Sequence, residues 1–319
     1  MSSEPIILAE ALTRRFGERV AVDGVSFEIT RVEIFGFLSP NGAGKSTTAR
    51  MLTGVIVASS GRSLILGMDI ARRASDIRRH LGIVPEEANV YADLTVLQNV
   101  LFMAELHGIG SRERSRRAAA LQQRFDLAGR AAQKGRELSK GLRQRLMLCM
   151  ALICEPEILF LEEPTSGLDV ASAHLIREMV TELNRERGMT VFLTTHNMLE
   201  AEQLCHRVAI IHRGRLAVVD TPSVLRARVE SRRSVVVRLR DGSAAGSLAA
   251  TLMDLDVTLI AGGFRVFTVD PGPLAQRIAV VATERSLVLD FIATVEPSLE
   301  EDFLSLTQPG KTGPVAPLI

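Results

Sequence analysis

A glycine-rich segment near the start of the chain contains the residue types that bind phosphate groups. Ser39–Thr47 reads SPNGAGKST and follows the apolar run Ile34–Leu38. Its glycines allow backbone N–H groups to approach a phosphate, Lys45 adds a positive charge, and the hydroxyl of Ser46 is a ligand for Mg²⁺. A helix that starts at the end of the segment adds the positive end of its dipole. The predicted nucleotide-binding residues here are Ser39, Pro40, Asn41, Gly42, Ala43, Gly44, Lys45, Ser46 and Thr47.

One position in this segment departs from the usual pattern. Ser39 stands where G-x-x-x-x-G-K-[ST] has its first glycine. If the backbone needs a positive φ at this position, the serine side chain costs about 1 kcal/mol. Because the position lies away from the phosphates, we expect nucleotide binding to persist.

Two adjacent carboxylates follow another apolar run. Ile158–Leu161 leads directly into Glu162 and Glu163. Taken alone, this pattern favours a strand that ends in solvated acids. Beside a phosphate-binding loop it favours a phosphoryl-transfer site, in which one carboxylate holds Mg²⁺ and the other positions the attacking water.

Further segments resemble the ATP-binding cassette of ABC transporters, and they occur in that family's order. Leu138–Arg145 (LSKGLRQR) resembles the signature motif, in the lysine-containing form of bacterial drug and antibiotic exporters such as the daunorubicin-resistance type. Glu163–Asp169 (EPTSGLD) resembles the segment between the Walker B strand and the D-loop. Glu86 is similar to the Q-loop residue, His196 to the switch histidine, and Phe16 to the aromatic residue that stacks on adenine.

The resemblance covers about residues 5–225 and implies the fold, the activity and the site. The implied fold is an α/β P-loop NTPase, with an antiparallel β subdomain and a helical subdomain. The implied activity is hydrolysis of ATP with Mg²⁺ as cofactor, coupled to export through a membrane permease. The implied residues are Glu163, His196 and Glu86 for catalysis, Ser46, Glu86 and Glu162 for the metal, and Phe16, Ser139, Gly141, Gln144 and Asp169 for the nucleotide.

The signature residues indicate a second nucleotide. Ser139 and Gly141 precede the predicted helix Leu142–Ile153, so their hydroxyl and N–H groups form an anion site. The phosphate-binding loop already serves the phosphates of its own subunit. In the family the second site serves the opposing subunit, so the resemblance implies a homodimer with two ATP molecules held head-to-tail.

Two acidic residues depart from the family pattern. Glu162 stands where Asp is usual, which moves the carboxylate by roughly 1.5 Å, one carbon–carbon bond. Glu86 stands where Gln is usual, although the exporter branch often has the Pro-Glu-Glu form. We hypothesise that hydrolysis persists but is tuned, because the added negative charge favours Mg²⁺ and disfavours the γ-phosphate.

The elements that must position these residues follow from hydrophobic periodicity. Continuous apolar runs predict a parallel sheet buried on both faces, and two half-buried strands precede it, joined by a turn at Phe16–Glu18. Residues 90–136 have helical spacing. The predicted central strands are Ile34–Leu38, Ile83–Val84, Ile158–Leu161, Val191–Thr194 and Val208–Ile211; the earlier strands are Ile6–Leu12 and Val25–Ile29; the inserted helices are Leu94–Leu106 and Arg114–Leu127.

A polar, basic stretch at residues 220–234 predicts a domain boundary. We expect an ATPase domain over 1–228, with its helical subdomain at about 88–155, a small α+β domain over 233–308 and a disordered tail over 309–319. The strands predicted in the small domain are Val235–Leu239, Val257–Ile260, Phe264–Val269 and Leu287–Ala293, and its helices lie near Leu248–Asp254 and Pro273–Glu284. Glu296–Thr307 resembles the closing segment of drug-exporter ATPase subunits; its apolar residues either cap the small domain or pack on a second subunit.

The charge balance, the cysteines and the lengths of the apolar runs limit which partners and which cellular location are expected. The chain has 38 basic and 37 acidic residues, whereas nucleic-acid binding usually needs a basic excess, so no nucleic-acid partner is expected. The three cysteines lack metal-type spacing and predict a reducing compartment. Neither a signal peptide nor an apolar run of ~20 residues is present. We therefore expect a cytoplasmic protein. The resemblance to the family implies that a separate permease holds it at the inner face of the membrane, and that a coupling helix of the permease contacts the region of Tyr91–Val96.

Two other functions stay open at this stage. A soluble ABC ATPase that acts on ribosomes or DNA usually has two cassettes in one chain or a long coiled-coil insertion, which the sequence does not suggest. An ATP-dependent binding module with weak hydrolysis would accommodate the departures at Ser39 and Glu162.

Overall fold

The computed structural model describes residues 4–40, 42–87, 90–225, 233–252 and 255–295. The chain divides into two compact units, Met1–Pro222 and Ser223–Ile319. The strands of the first unit are β1 (Ile7–Phe16), β2 (Arg19–Ile29), β3 (Ile34–Leu38), β4 (Ser60–Ile65), β5 (Met68–Asp69), β6 (Leu81–Val84), β7 (Ile158–Glu162), β8 (Thr190–Thr195), β9 (Arg207–His212) and β10 (Arg215–Asp220). Its helices are α1 (Lys45–Leu52), α2 (Ile70–Arg78), α3 (Val96–Leu106), α4 (Ser111–Arg124), α5 (Lys140–Leu152), α6 (Val170–Arg187) and α7 (Met198–Leu204).

The central sheet has the strand order β10-β9-β3-β8-β7-β6. The five strands predicted from continuous apolar runs are parallel neighbours in this sheet, and β10 adds an antiparallel edge. In register, Leu38 of β3 pairs with Thr195 of β8, and Thr194 pairs with Glu162 of β7. The carboxyl ends of β3, β8 and β7 therefore meet at one edge, where ligands bind in open α/β sheets.

Aromatic side chains join the central sheet to the antiparallel sheet beside it. Phe192 of β8 is fully buried, and its ring centroid lies 5.2–6.4 Å from those of four other phenylalanines. One of them, Phe27, belongs to β2 of the other sheet and stacks on Phe35 of β3 at 5.5 Å. The rings surrounding Phe192 are those of Phe27, Phe35, Phe37 and Phe160.

The antiparallel sheet has the order β2-β1-β4-β5. The two half-buried strands predicted at the start of the chain are confirmed as β1 and β2, and both are longer than expected. Strand β4 escapes prediction because its first residues, from Ser60 to Arg62, are polar or glycine and exposed. They pair with β1 through backbone hydrogen bonds, and such bonds do not require a hydrophobic pattern in the sequence.

Helices α3, α4 and α5 follow the central strand β6 and confirm the predicted helical insertion. Thr95 and Gln98 form a capping box that fixes the start of α3. The buried amide of Asn99 donates to the carbonyls of Tyr91, Leu94 and Thr95. This side chain therefore holds the loop that enters the insertion against the helix that follows it.

The second unit is an antiparallel sheet with helices on one face. Its strands are β11 (Ser234–Leu239), β12 (Asp256–Ile260), β13 (Gly263–Phe267) and β14 (Leu289–Val295), and its helices are α8 (Ala245–Ala249) and α9 (Pro271–Glu284). The order β12-β13-β11-β14 together with the β-α-β-β-α-β succession is the split βαβ arrangement. The predicted α+β character is confirmed for these residues; the segment 296–307, the tail 309–319 and the proposed domain limits 228 and 308 fall outside the described residues.

Removing the central aromatic ring of the first unit should destabilise it strongly. Phe192→Ala leaves a cavity among four other rings, and we expect a loss of about 3–5 kcal/mol in the free energy of unfolding. Urea titration followed by circular dichroism measures it. Val170→Ala, at a side chain that is 85% exposed, is the control and should change stability by less than about 0.5 kcal/mol. A loss below about 1 kcal/mol for Phe192→Ala would contradict the packing described here.

Candidate active site

The phosphate-binding loop joins the end of β3 to the start of α1. Gly44 caps the helix with a φ of 113°, and a Cβ at this position would lie 2.8 Å from the carbonyl oxygen of Ala21. Gly42 also has a positive φ of 80°. Both positions therefore require glycine, and the loop passes close to β2. Asn41, one of the predicted binding residues, lies outside the described residues.

Ser39 fits its position without backbone strain. Ser39 is absent from the described residues that have a positive φ, so the penalty expected for a side chain in that conformation does not arise. Its side chain is buried, its hydroxyl donates to the carbonyl of Pro40 at 3.1 Å, and its N–H donates to the carbonyl of Thr195 at 3.3 Å. The serine thus ties the loop to the end of β8.

Lys45 and Glu163 form a buried ion pair in front of the loop. The Nζ atom of Lys45 lies 3.2 Å from Oε1 of Glu163, and the two side chains are 7% and 5% exposed. The ammonium donates its hydrogen bonds to the backbone carbonyls of Ser39 and Pro40. Oε1 of Glu163 is therefore buried with no hydrogen-bond donor among the described residues, although a cation lies beside it. This oxygen can still accept a hydrogen bond.

The structure brings Glu163 and His196 together, as the resemblance implies. Nδ1 of His196 lies 2.7 Å from Oε2 of Glu163, and the backbone N–H of His196 donates to the same oxygen at 3.3 Å. A neutral imidazole that donates through Nδ1 keeps Nε2 as an acceptor. Glu163 itself has a φ of 47°, a left-handed conformation that is costly for a residue with a Cβ. The carboxylate is thus held in a strained turn directly after β7.

Three carboxylates, those of Glu86, Glu162 and Glu163, lie near one another at this edge. Burial raises the pKa of the Glu162 carboxyl above its ordinary value, and the charges of Glu86 and Glu163 act in the same direction. The hydroxyl of Ser46 and the charge of Arg50 act in the opposite direction. Glu162 therefore lies near the serine of the phosphate-binding loop.

The side chains of Ser46 and Glu162 offer oxygen atoms, the type of ligand that Mg²⁺ prefers. Among the described residues no group of three or more His, Cys, Asp or Glu side chains is arranged as a metal site. Mg²⁺ is usually held by one or two protein oxygens together with phosphate oxygens and water. The hydroxyl of Ser46 and the carboxylate of Glu162 are such a set.

A cavity of about 430 Å³ extends from the phosphate-binding loop to Phe16. Phe16 is half-exposed, and the guanidinium carbon of Arg14 lies 4.6 Å from the centre of its ring. Sequence reasoning missed Arg19, whose signal is its position opposite Phe16 across the β1–β2 hairpin. The described residues that line the cavity are Phe16, Arg19, Ala21, Gly42, Gly44, Lys45, Ser46, Thr47, Glu86 and Glu163.

The signature residues do not line this cavity and lie instead where α5 meets α6. The hydroxyl of Ser139 caps α5 by accepting from the N–H of Leu142 at 3.3 Å. A Cβ on Gly141 would lie 2.7 Å from the hydroxyl oxygen of Ser172. Asp169 caps α6, and the N–H and hydroxyl of Ser172 hold the pKa of its carboxyl below the ordinary value. Gln144, the remaining predicted residue, is buried in α5.

Comparison with known proteins agrees with this geometry. The family described as ABC transporter matches residues 22–166. The chain is 33% identical over 311 residues to the Daunorubicin resistance ATP-binding protein DrrA3 of Streptomyces coeruleorubidus, covering 96% of each chain. The chain belongs to the ABC transporter ATP-binding family. The expected family and the α/β P-loop NTPase fold are thereby confirmed.

Two further similarities show how much of this ABC cassette protein, and of its relatives, aligns. The chain is 42% identical over 227 residues to the Probable multidrug ABC transporter ATP-binding protein YbhF of Escherichia coli (strain K12). The aligned residues are 70% of this chain but only 39% of YbhF. A solved dimeric ATP-binding cassette, MJ0796, bound to ADP and Pi in a post-hydrolysis state, matches with a TM-score of 0.62 at 26% identity, covering 68% of this chain and 98% of that one.

The part of this ABC cassette protein that the structure describes contains no helix both long and apolar enough to cross a bilayer. The cysteines there are free, with Cys149 and Cys205 buried and Cys154 partly buried.

Changing the charge or the length of the acidic side chains around the loop should change the response of the ABC cassette to Mg²⁺. Glu86→Gln removes a negative charge, so we expect the Mg²⁺ concentration for half-maximal ATP turnover to rise about fivefold, equivalent to roughly 1 kcal/mol. Glu162→Asp shortens the reach to Ser46 and should shift the same quantity. Titration of Mg²⁺ at saturating ATP measures both.

The control is Glu87→Gln, which removes the same charge from the exposed neighbour of Glu86. It should leave the Mg²⁺ response within about twofold of the parent, because Glu87 does not line the cavity as Glu86 does and screening weakens a charge that lies outside it. Unchanged kinetics in both Glu86→Gln and Glu162→Asp would refute the hypothesis that these acids tune hydrolysis.

Proposed function

We propose that the chain binds ATP with Mg²⁺ in the cavity beside the phosphate-binding loop and hydrolyses it. The observation that carries this proposal is Glu163, a buried carboxylate with one oxygen fixed by His196 and the other beside the ammonium of Lys45. Oε1 has spare acceptor capacity, which suits a group that must accept a proton from a water molecule. Glu163 is therefore the proposed general base.

The other residues have roles that follow from their positions. The N–H groups at the start of α1 and the ammonium of Lys45 stabilise phosphate charge. Once phosphate oxygens compete for that ammonium, the attraction between Lys45 and Glu163 weakens, and the carboxylate becomes available to water. The Nε2 atom of His196 is positioned to contact the γ-phosphate or the water. Ser46 and Glu162 would hold Mg²⁺, which would neutralise phosphate charge, and Glu86 lies close by.

We further propose that two copies of the chain share two ATP molecules head-to-tail. Ser139 and Gly141 open α5 away from the cavity lined by Lys45, so one subunit offers its signature residues to a nucleotide that it does not itself hold. The dimeric state of the solved MJ0796 cassette supports this arrangement. Asp169, at the start of α6, would lie near the same interface.

The proposed partner is a separate membrane permease, and the proposed process is export of a drug or antibiotic, at the inner face of the membrane. A cleft of about 390 Å³ lies between β6 and helices α3 and α5, with Tyr91, Met103, Met147 and Met150 among its lining residues. Methionine side chains adapt to varied apolar partners, which suits a coupling helix. The names of DrrA3 and YbhF support the drug-export class.

The unstrained fit of Ser39 removes one reason to prefer the alternative function, an ATP-dependent binding module with weak hydrolysis.

Replacing the proposed base should separate binding from turnover. Glu163→Gln keeps the shape of the side chain but cannot accept the proton, so we expect ATP turnover to fall at least about 100-fold. Binding of ATP, measured by displacement of a fluorescent nucleotide, should stay within about threefold. Because the variant does not hydrolyse ATP, the nucleotides should stay bound between two copies of the chain. We therefore expect its mass, measured by light scattering after gel filtration, to double when ATP is added.

Glu157→Gln is the matched control, since Glu157 precedes the opposite end of β7 and is half-exposed. It should retain parent turnover. Turnover of Glu163→Gln within about threefold of the parent would exclude Glu163 as the base. A mass that ATP does not change would count against the shared dimer.

A further inference from the structure

A second buried carboxylate lies behind the Glu163–His196 pair. Glu200, in the first turn of α7, is 1% exposed. Its Oε1 accepts a hydrogen bond of 2.7 Å from the hydroxyl of Thr165, and the nearby hydroxyl of Thr195 favours the charged form of the carboxyl by lowering its pKa. A buried carboxylate is costly unless such partners satisfy it. Its position therefore depends on these two hydroxyl groups.

The two threonines belong to the two segments that carry the catalytic pair. Thr165 lies two residues after Glu163, in the turn between β7 and α6. Thr195 is the last residue of β8 and directly precedes His196. One carboxylate thus joins the chain that presents the proposed base to the chain that presents the histidine.

Glu200 is itself fixed in place by the start of its helix. The side chain of Asn197 caps α7 by accepting from the N–H of Glu200 at 3.3 Å. The N–H of Asn197 donates to the hydroxyl oxygen of Thr195 at 3.0 Å. Glu200 is therefore linked to Thr195 through Asn197 at the first turn of α7.

The catalytic pair needs this support because the backbone of Glu163 is strained and the side chain of His196 is half-exposed. Glu163 has a φ of 47°, a conformation that persists only where the surroundings enforce it. A backbone bond of 2.8 Å from its N–H to Thr194 holds one end of the turn. The side chain of His196 is 50% exposed, so packing alone does not orient its ring. Apart from the Glu163–His196 contact itself, the hydrogen bond from Thr165 to Glu200 and the link from Glu200 through Asn197 to Thr195 tie the two segments together.

We infer that Glu200 is a positioning residue for ATP hydrolysis, holding Glu163 and His196 at hydrogen-bond distance through Thr165 and Thr195. This inference rests on the proposed function of the site. Glu200 does not line the cavity, so its effect falls on turnover and not on nucleotide affinity. Small displacements of a catalytic group can cost up to about 100-fold in rate.

The test removes the hydroxyl of Thr165 and then restores it. Thr165→Val keeps the shape of the side chain but loses the bond to Glu200, and we expect kcat to fall about tenfold with ATP affinity within about twofold. Thr165→Ser returns the hydroxyl and should recover at least half of the parent kcat. Glu200→Gln keeps the size of the side chain but loses one acceptor oxygen, and should also lower kcat.

The Thr165→Val and Glu200→Gln changes act on one hydrogen bond, so their effects should not add. We expect the double variant to be no more than about twofold slower than the slower single variant. Independent effects, with the two losses multiplying, would indicate that each residue acts separately and would overturn the inference.

The first unit offers a matched control in a second buried glutamate. Glu33, which is 5% exposed, accepts a bond of 2.9 Å from the hydroxyl of Thr30, before the start of β3 and thus at the opposite end of that strand from the loop. Thr30→Val should lower the thermal midpoint but leave kcat per folded molecule unchanged. This comparison separates loss of a buried hydrogen bond from loss of positioning.

The outcomes distinguish this inference from the proposed function. If the parent protein hydrolyses ATP and Thr165→Val retains its kcat, or if Thr165→Ser fails to restore a lowered kcat, the inference about Glu200 is wrong and the proposed function stands. If Glu200→Gln and Thr165→Val change turnover only as far as Thr30→Val does, the residue is merely structural. If the parent shows no turnover with ATP and Mg²⁺, the proposed function itself fails, and the inference with it.

Discussion

The parallel pairing of β3, β8 and β7 is the constraint on which the rest of the site depends. Leu38 pairs with Thr195, and Thr194 pairs with Glu162, so three strand ends are fixed side by side. The phosphate-binding loop, the histidine segment and the two acids leave the sheet from these ends. A shift of one residue in this register would turn side chains to the other face of the sheet. Ser39 strengthens the arrangement, since its N–H is bonded to Thr195.

Charge is concentrated at this edge at a cost in stability. Lys45 and Glu163 are both almost fully buried, and a buried ion pair often contributes no more to stability than apolar residues of the same volume would. Glu163 adds the strain of a positive φ, and burial raises the pKa of Glu162. Features that oppose folding and gather at one place mark functional sites. The aromatic core around Phe192, directly below the strand ends, supplies compensating stability.

The local parts of this arrangement could be predicted from the sequence, and the non-local parts could not. The phosphate-binding loop and the acids after β7 depend on residues that are adjacent in the chain, so their spacing is visible. Arg19 enters the cavity only through the pairing of a hairpin. Glu200 carries no such signal, because a glutamate in the first turn of a helix usually lies in solvent near the helix dipole. Its burial follows from the packing of α7 against β8 and the turn after β7.

The chain between β7 and α6 connects two parts of the site that lie on different faces. It begins at Glu163, beside the phosphate-binding loop, and ends at Asp169, which caps α6 through Ser172. The hydroxyl of Ser172 also lies against Gly141 of the signature segment, where a Cβ would meet it at 2.7 Å. Thr165, midway along this turn, is tied to Glu200. The signature helix therefore contacts α6 next to the short turn that sets the position of the proposed base, and the buried carboxylate of Glu200 is bonded to the middle of that turn.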